Sequence, residues 1–280
     1  MQFTDPKNDV AFRKIFGNET KTEILISFLN SVLKLKSDKV ITWIEILNPY
    51  QLPRIAGSKS TILDVRAKDK AGNTYIVEMQ VTDKLGLDKR ITLYGAKGYA
   101  SQLDVGDDYY KLKPVIFIGI LNFEYFMGQN YLSRHLILDA ETYEHKLKDL
   151  EFNFIEIPKF HKKENELETL VEKWVYFIKH ANELSVIPLS INDKGLEEAY
   201  KEADRHNWTR EELEEYEYAK MRETDEIAER MLIKEKGKME GIIESKVEIA
   251  KNLKESQVDM SIISKSTGLS IEEIERLNLR

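Results

Sequence analysis

Residues 61–81, TILDVRAKDKAGNTYIVEMQV, hold the side chains best placed to do chemistry. Leu63, Val65 and Ala67 alternate with Asp64, Arg66 and Lys68; further on, Tyr75, Val77, Met79 and Val81 alternate with Ile76, Glu78 and Gln80. A period of two marks a pair of strands with one apolar face and one face of acids, bases and an amide. Lys70-Ala71-Gly72 suits a three-residue hairpin loop with glycine last. Counting back from Asp69 opposite Asn73, Asp64 faces Glu78 and Ile62 faces Gln80. Directly opposed residues hold their Cβ atoms about 5 Å apart, where like charges repel. Two carboxylates so placed are tolerated by solvent, if the face is exposed, or by a divalent cation. Carboxylate oxygens are preferred ligands of Mg²⁺, which keeps several waters and binds phosphate.

The elements that must position this hairpin follow from the surrounding pattern. Asp9–Phe16 is expected to be a short helix closed by Gly17, and residues 20–34 an amphipathic one through Ile24, Leu25, Phe28, Leu29, Val32 and Leu33. Residues 40–47, 61–69 and 74–81 are expected strands, and 88–104 a helix. The wholly apolar 114–121 suits a strand buried on both faces. Further strands are expected at 134–139 and 152–157, and a helix at 166–184. The order is helix, strand, strand, strand, helix, strand. This is an α/β (α+β) chain with a mixed central sheet flanked by helices. On the helix after the hairpin, Arg90, Tyr94, Lys97 and Ser101 share one face. That face is either plain solvated surface or a set of cations and hydroxyls for a phosphate backbone. Gly95 and Gly98 weaken the helix and suggest close backbone approach.

Composition narrows the classes. The chain has 280 residues, a net charge of −7 and no cysteine. A disulfide scaffold, a thiol nucleophile and cysteine-based metal sites are excluded. The opening MQFTDPKNDVAFRK has no apolar run behind a basic start, and no stretch is long and apolar enough to span a bilayer. A soluble cytoplasmic protein without membrane contact is the expectation. The charge is uneven: residues 1–103 carry +5 and the rest −12. A polyanion responds to the local field, so the total does not exclude one. The five histidines lack metal-ligand spacing, and no P-loop, dinucleotide fingerprint or GxSxG pattern is present.

Three parts are expected: a mixed domain over 1–190, a Glu/Lys-rich helical arm over 191–250, and a small helix-turn-helix-like tail over 251–280. The arm has no sustained apolar heptad and is either a solvated helix or a homodimer contact. In the tail, Ser270 and Glu273 form a capping box, and Gly268 suits the turn before it.

DPKNDVAFRKIFG followed by ILISFLNSVL, then LDVRAKDKAGNTYIVEMQ, KRITLYGAKGYASQL and PVIFIGIL, in that order, resemble the recombination-promoting nuclease/transposase (Rpn) family. That family is a branch of the PD-(D/E)XK nuclease superfamily, and the resemblance spans roughly residues 3–180. It implies a restriction-endonuclease-like αβββαβ core with a helical C-terminal extension. It also implies metal-dependent hydrolysis of DNA phosphodiesters, associated with recombination or transposition. By position, Asp64 and Glu78 match the metal-binding acids. Mg²⁺ (or Mn²⁺) would be held by both carboxylates and the Met79 backbone carbonyl. Gln80 stands where the superfamily usually has lysine and this family glutamine; it could orient the attacking water but supplies no charge. Lys68 or Lys97 is the candidate source of that charge. Asp9 matches the first-helix acid, either a further ligand or a cap. Arg90 and Tyr94 match the supporting positions on the helix after the hairpin. The competing readings are a catalytically inactive DNA-binding module and an interaction protein working through its acidic arm.

Overall fold

The computed structural model describes residues 1–51 and 61–277. The chain divides into two compact units, Met1–Lys220 and Met221–Arg280.

In the first unit, six strands form one mixed sheet. They are β1 (Ile44–Leu47), β4 (Val65–Asp69), β5 (Thr74–Gln80), β6 (Val115–Leu121), β7 (Leu132–Leu136) and β8 (Leu150–Glu156), in the order β1-β4-β5-β6-β8-β7. The β4–β5 hairpin and β1 are antiparallel, β5-β6-β8 run parallel, and β7 returns antiparallel to β8. Two short strands, β2 (Tyr50–Gln51) and β3 (Thr61–Ile62), pair separately. Helices α1 (Asp9–Phe16), α2 (Glu23–Val32), α4 (Leu170–His180) and α5 (Lys194–Ala203) bury their apolar stripes with Val65, Val77, Ile118 and Ile155 on one side of the sheet. The other side carries α3 (Leu87–Ala100), whose Leu87 and Ile91 pack with Ile76, Phe117 and Leu121. Strand β6 is covered on both faces, which is why its sequence is apolar without alternation.

The mixed fold is the one expected, and the hairpin register agrees, with Val65 opposite Val77 and Lys68 opposite Thr74. Residues 61–69 are not one strand, because the chain bends at Leu63 and Asp64 between β3 and β4. The bend moves Leu63 off the Val65 side and into the α3 cluster beside Ile76. On the polar face Lys68 is exposed but Glu78 is not: β5 is buried from Thr74 to Met79, with Ile76 in the α3 cluster and Tyr75, Val77 and Met79 on the other side. The close approach comes from Gly95, where an added Cβ would stand 3.0 Å from the Phe152 ring.

The remaining helix, α6 (Arg210–Glu255), begins in the first unit. Residues 191–220, expected in the charged arm, supply Leu196, Ala199, Tyr200, Ala203, Trp208 and Tyr216 to the first unit's core. These apolar residues recur at helical spacing, so the high charge of α5 belongs only to its outer face. In the second unit, α7 (Met260–Thr267) and α8 (Ile271–Arg276) flank Gly268 at φ +73°. Ala250, Ile263 and Ile274 form a small core there. Lys254 Nζ donates to the carbonyls of Ile274, Glu275 and Leu277 at 2.9–3.0 Å, closing the end of α8. Among the described residues no helix is long and apolar enough to cross a membrane.

Candidate active site

The β4–β5 ladder ends in an exchange of side chains for backbone. The Asp64 N–H donates to Glu78 Oε1 at 2.9 Å, and the Met79 N–H donates to Asp64 Oδ2 at 2.9 Å. Each carboxylate thus accepts a main-chain donor from the opposite strand. The reciprocal bonds account for the bend at Asp64, since its N–H serves a side chain instead of a ladder carbonyl.

Glu78 is only 5% exposed, so solvent does not relieve the repulsion between the two acids. Both titrate high. Burial raises the Asp64 carboxyl, against the Met79 N–H and the Arg13 charge, which lower it. Burial and then the Asp64 charge push Glu78 up to about 8. Among the described residues Glu78 makes no ion pair. Glu78 therefore keeps its proton up to about pH 8, since the Arg90 and Arg13 charges only partly offset burial and the Asp64 carboxylate.

Around the pair stand polar groups from α1 and α3. Arg13 on α1 holds Asp9 at 3.0 Å and reaches toward Asp64 Oδ1 at 3.8 Å, so Asp9 is brought to the rim of the pair. The cap of α1 is Asn8, whose side chain accepts from Val10 and Ala11; the capping alternative for Asp9 falls away. Arg90 on α3 donates to Gln80 Oε1, and Gln80 Nε2 donates to the Met79 carbonyl at 3.1 Å. Tyr94, one turn on, is half-buried, and burial with the Glu78 charge keeps its hydroxyl protonated.

The two expected lysines lie further along their elements. Lys68 lies exposed four residues along β4 from Asp64, about 13 Å away at strand rise. Lys97 lies seven residues beyond Arg90, about 10 Å along α3, toward the end where Gly95 meets Phe152. Two arginines stand nearer Asp64 along the chain or in space. Arg13 was signalled by its i,i+4 spacing from Asp9. Arg66, two residues from Asp64, has a buried Nε with no hydrogen-bond partner among the described residues, and burial lowers its pKa. Nothing in the alternation pattern separates it from an ordinary surface cation.

Among the described residues no three acidic or histidine side chains gather around one point. The donors present are two carboxylates and the Met79 carbonyl, which retains a second lone pair. This hard-oxygen set, with two carboxyl groups facing one another, fits a divalent cation completed by water and phosphate oxygens.

The family model described as PD-(D/E)XK nuclease family transposase matches residues 6–233 of the chain. Comparison with curated proteins and with solved structures finds no match.

Proposed function

The chain belongs to the PD-(D/E)XK nuclease family transposases, and from that premise and the buried acids we propose that it is a metal-dependent DNA endonuclease. Asp64, Glu78 and the Met79 carbonyl would hold Mg²⁺ or Mn²⁺. The observation that carries the reading is an opposed pair of carboxyl groups, Glu78 buried and Asp64 partly so, with no ion pair to Glu78 among the described residues.

When bound, such a cation supplies charge neutralisation at the phosphoryl oxygens and acidifies water. The chain's own groups do the rest. Glu78 releases its proton as the site fills. Arg90 presents to the phosphate the positive charge that a strand lysine supplies elsewhere in the superfamily. Gln80 positions it: the amide spans the Met79 carbonyl and the guanidinium, so a neutral residue sets a charged one in place. Tyr94 donates a hydrogen bond from a hydroxyl that stays protonated. Arg13 keeps Asp9 and Asp64 apart in charge but close in space.

The test is incubation of supercoiled plasmid with the full chain, with and without Mg²⁺, beside Glu78→Ala. Nicking that needs both the metal and Glu78 is the expected result. Metal-independent nicking, or nicking that survives the substitution, refutes the site.

A second reading, a DNA-binding module without catalysis, is favoured by glutamine in the lysine position. Calorimetric titration with Mn²⁺ discriminates, since an inactive module shows no binding heat that Asp64→Asn removes. The homodimer is likewise a proposal, supported by exposed Met239, Ile242 and Ile249 on α6. Sedimentation should give twice the chain mass, and Met239→Glu with Ile242→Glu the single mass.

A further inference from the structure

At the hairpin-turn end of the sheet, five residues along β4 from Asp64 and about 17 Å away at strand rise, lies a groove of about 640 Å³. Its wall includes Trp43, at the start of β1. Of the three tryptophans, Trp174 and Trp208 are buried, whereas Trp43 is 44% exposed. Lys39, Lys70 and Lys148 also line the groove, from three separate places in the chain: before β1, in the β4–β5 turn and before β8. None of the three forms an ion pair among the described residues.

The acids of the groove are differently placed. Asp69 accepts from the Asn73 N–H and amide and from the Tyr75 hydroxyl at 2.8–2.9 Å. Glu151 is gripped in bidentate fashion by Arg134 at 2.8 and 2.7 Å. Two of the three acids are therefore satisfied internally, Asp38 being the third, while the lysines are free to meet an external anion.

An exposed indole sharing one groove with three lysines that form no ion pair is the combination that binds unpaired nucleotides. Every base has a π-face to stack, and the cations track the phosphates. An acidic peptide would use the lysines but gain little from the indole. We infer that this groove is a second nucleic-acid site, taking a short single-stranded segment with a base on Trp43 and phosphates on Lys39, Lys70 and Lys148. The site is separate from the acids, so it stands or falls independently of cleavage.

Labelled oligothymidylate should be titrated into the full chain in EDTA, following label anisotropy and tryptophan emission. Saturable binding with quenching is expected. Trp43→Ala should weaken binding about tenfold or more, and Trp43→Phe should restore most of it. Retained emission from Trp174 and Trp208 certifies the fold of the variant. Lys70→Gln with Lys148→Gln should flatten the log–log salt slope by about 1.4. Equal affinity for wild type and Trp43→Ala overturns the inference. So does equal affinity for thymidine monophosphate, for a duplex of the same length, or for polyglutamate.

Discussion

Two glutamates, Glu78 and Glu156, end up buried in the same sheet with opposite surroundings. Glu156, at the end of β8, is 1% exposed. Lys159 sits 2.7 Å from its Oε2, and the N–H groups of Tyr125 and Phe126 donate to its Oε1 at 2.6 and 3.0 Å. Its charge is met by a cation and two amides of its own chain. Glu78 receives one amide and faces a second carboxylate. Burying a carboxylate is costly unless it is paired. Glu156 has the features of a structural anchor for the Phe123–Phe126 turn. Glu78 has no such cation among the described residues and keeps a proton in its place up to about pH 8.

The contrast is sharpest if the two residues fail in different measurements. Asp64→Asn should lower Mg²⁺-dependent cleavage by about a thousandfold or more, the scale of losing a principal charge-stabilising group. The apo protein should lose no stability, because removing a buried charge also removes repulsion. Loss of the fold in this variant would make the acids structural and erase the comparison. Glu156→Gln should do the reverse. It strands the buried Lys159 ammonium and should cost about 3 kcal/mol in urea unfolding. Cleavage per folded molecule should stay near wild type.

The same asymmetry gives a pH dependence. Folding raises both site acids, and Glu78 reaches about 8. From about pH 4.5 to 8 these two groups therefore hold more protons in the folded apo chain than in the unfolded one. Their contribution to stability is fully present below about pH 4.5 and is lost as pH rises toward 8, with a slope of at most about 1.4 kcal/mol per unit for one group. Thermal melts in EDTA should show that decline. Mg²⁺ should oppose it, and Glu78→Gln should flatten it. A melt whose pH slope is unchanged by Glu78→Gln places the titrating group elsewhere.

How far this contrast was legible in the sequence depends on what each residue relies on. Period-two alternation and a glycine-closed turn put Asp64 opposite Glu78, and the register of the fold agrees because both are local properties of one hairpin. The apolar stripes of α1, α2 and α4 were visible for the same reason. The burial of Glu78 was not, because it depends on α3 lying over the hairpin. Lys68 and Arg90 looked equivalent as cations, yet one is carried about 13 Å down a strand and the other turned onto Gln80. The core role of α5 hid behind a Glu/Lys-rich outer face. Pairing at long range, such as Glu156 with the Tyr125 and Phe126 amides, leaves no spacing signal at all.

The smallest expected effect concerns how the missing charge is supplied. If Gln80 serves by holding Arg90, the two side chains act as one unit. Gln80→Ala and Arg90→Ala should each lower cleavage about tenfold, and the double variant should fall little below either. Additive losses would mean that Gln80 works on water by itself and that Arg90 meets the phosphate unaided. Gln80→Lys separates these cases further. A lysine there restores the superfamily's charge on the strand, beside Glu78, and removes the acceptor that holds the guanidinium. Activity kept or raised in that variant, with Arg90→Ala then costing nothing more, would show that the site needs a cation at this place and not a particular side chain. It would also complete the comparison with Glu156, which already has its lysine.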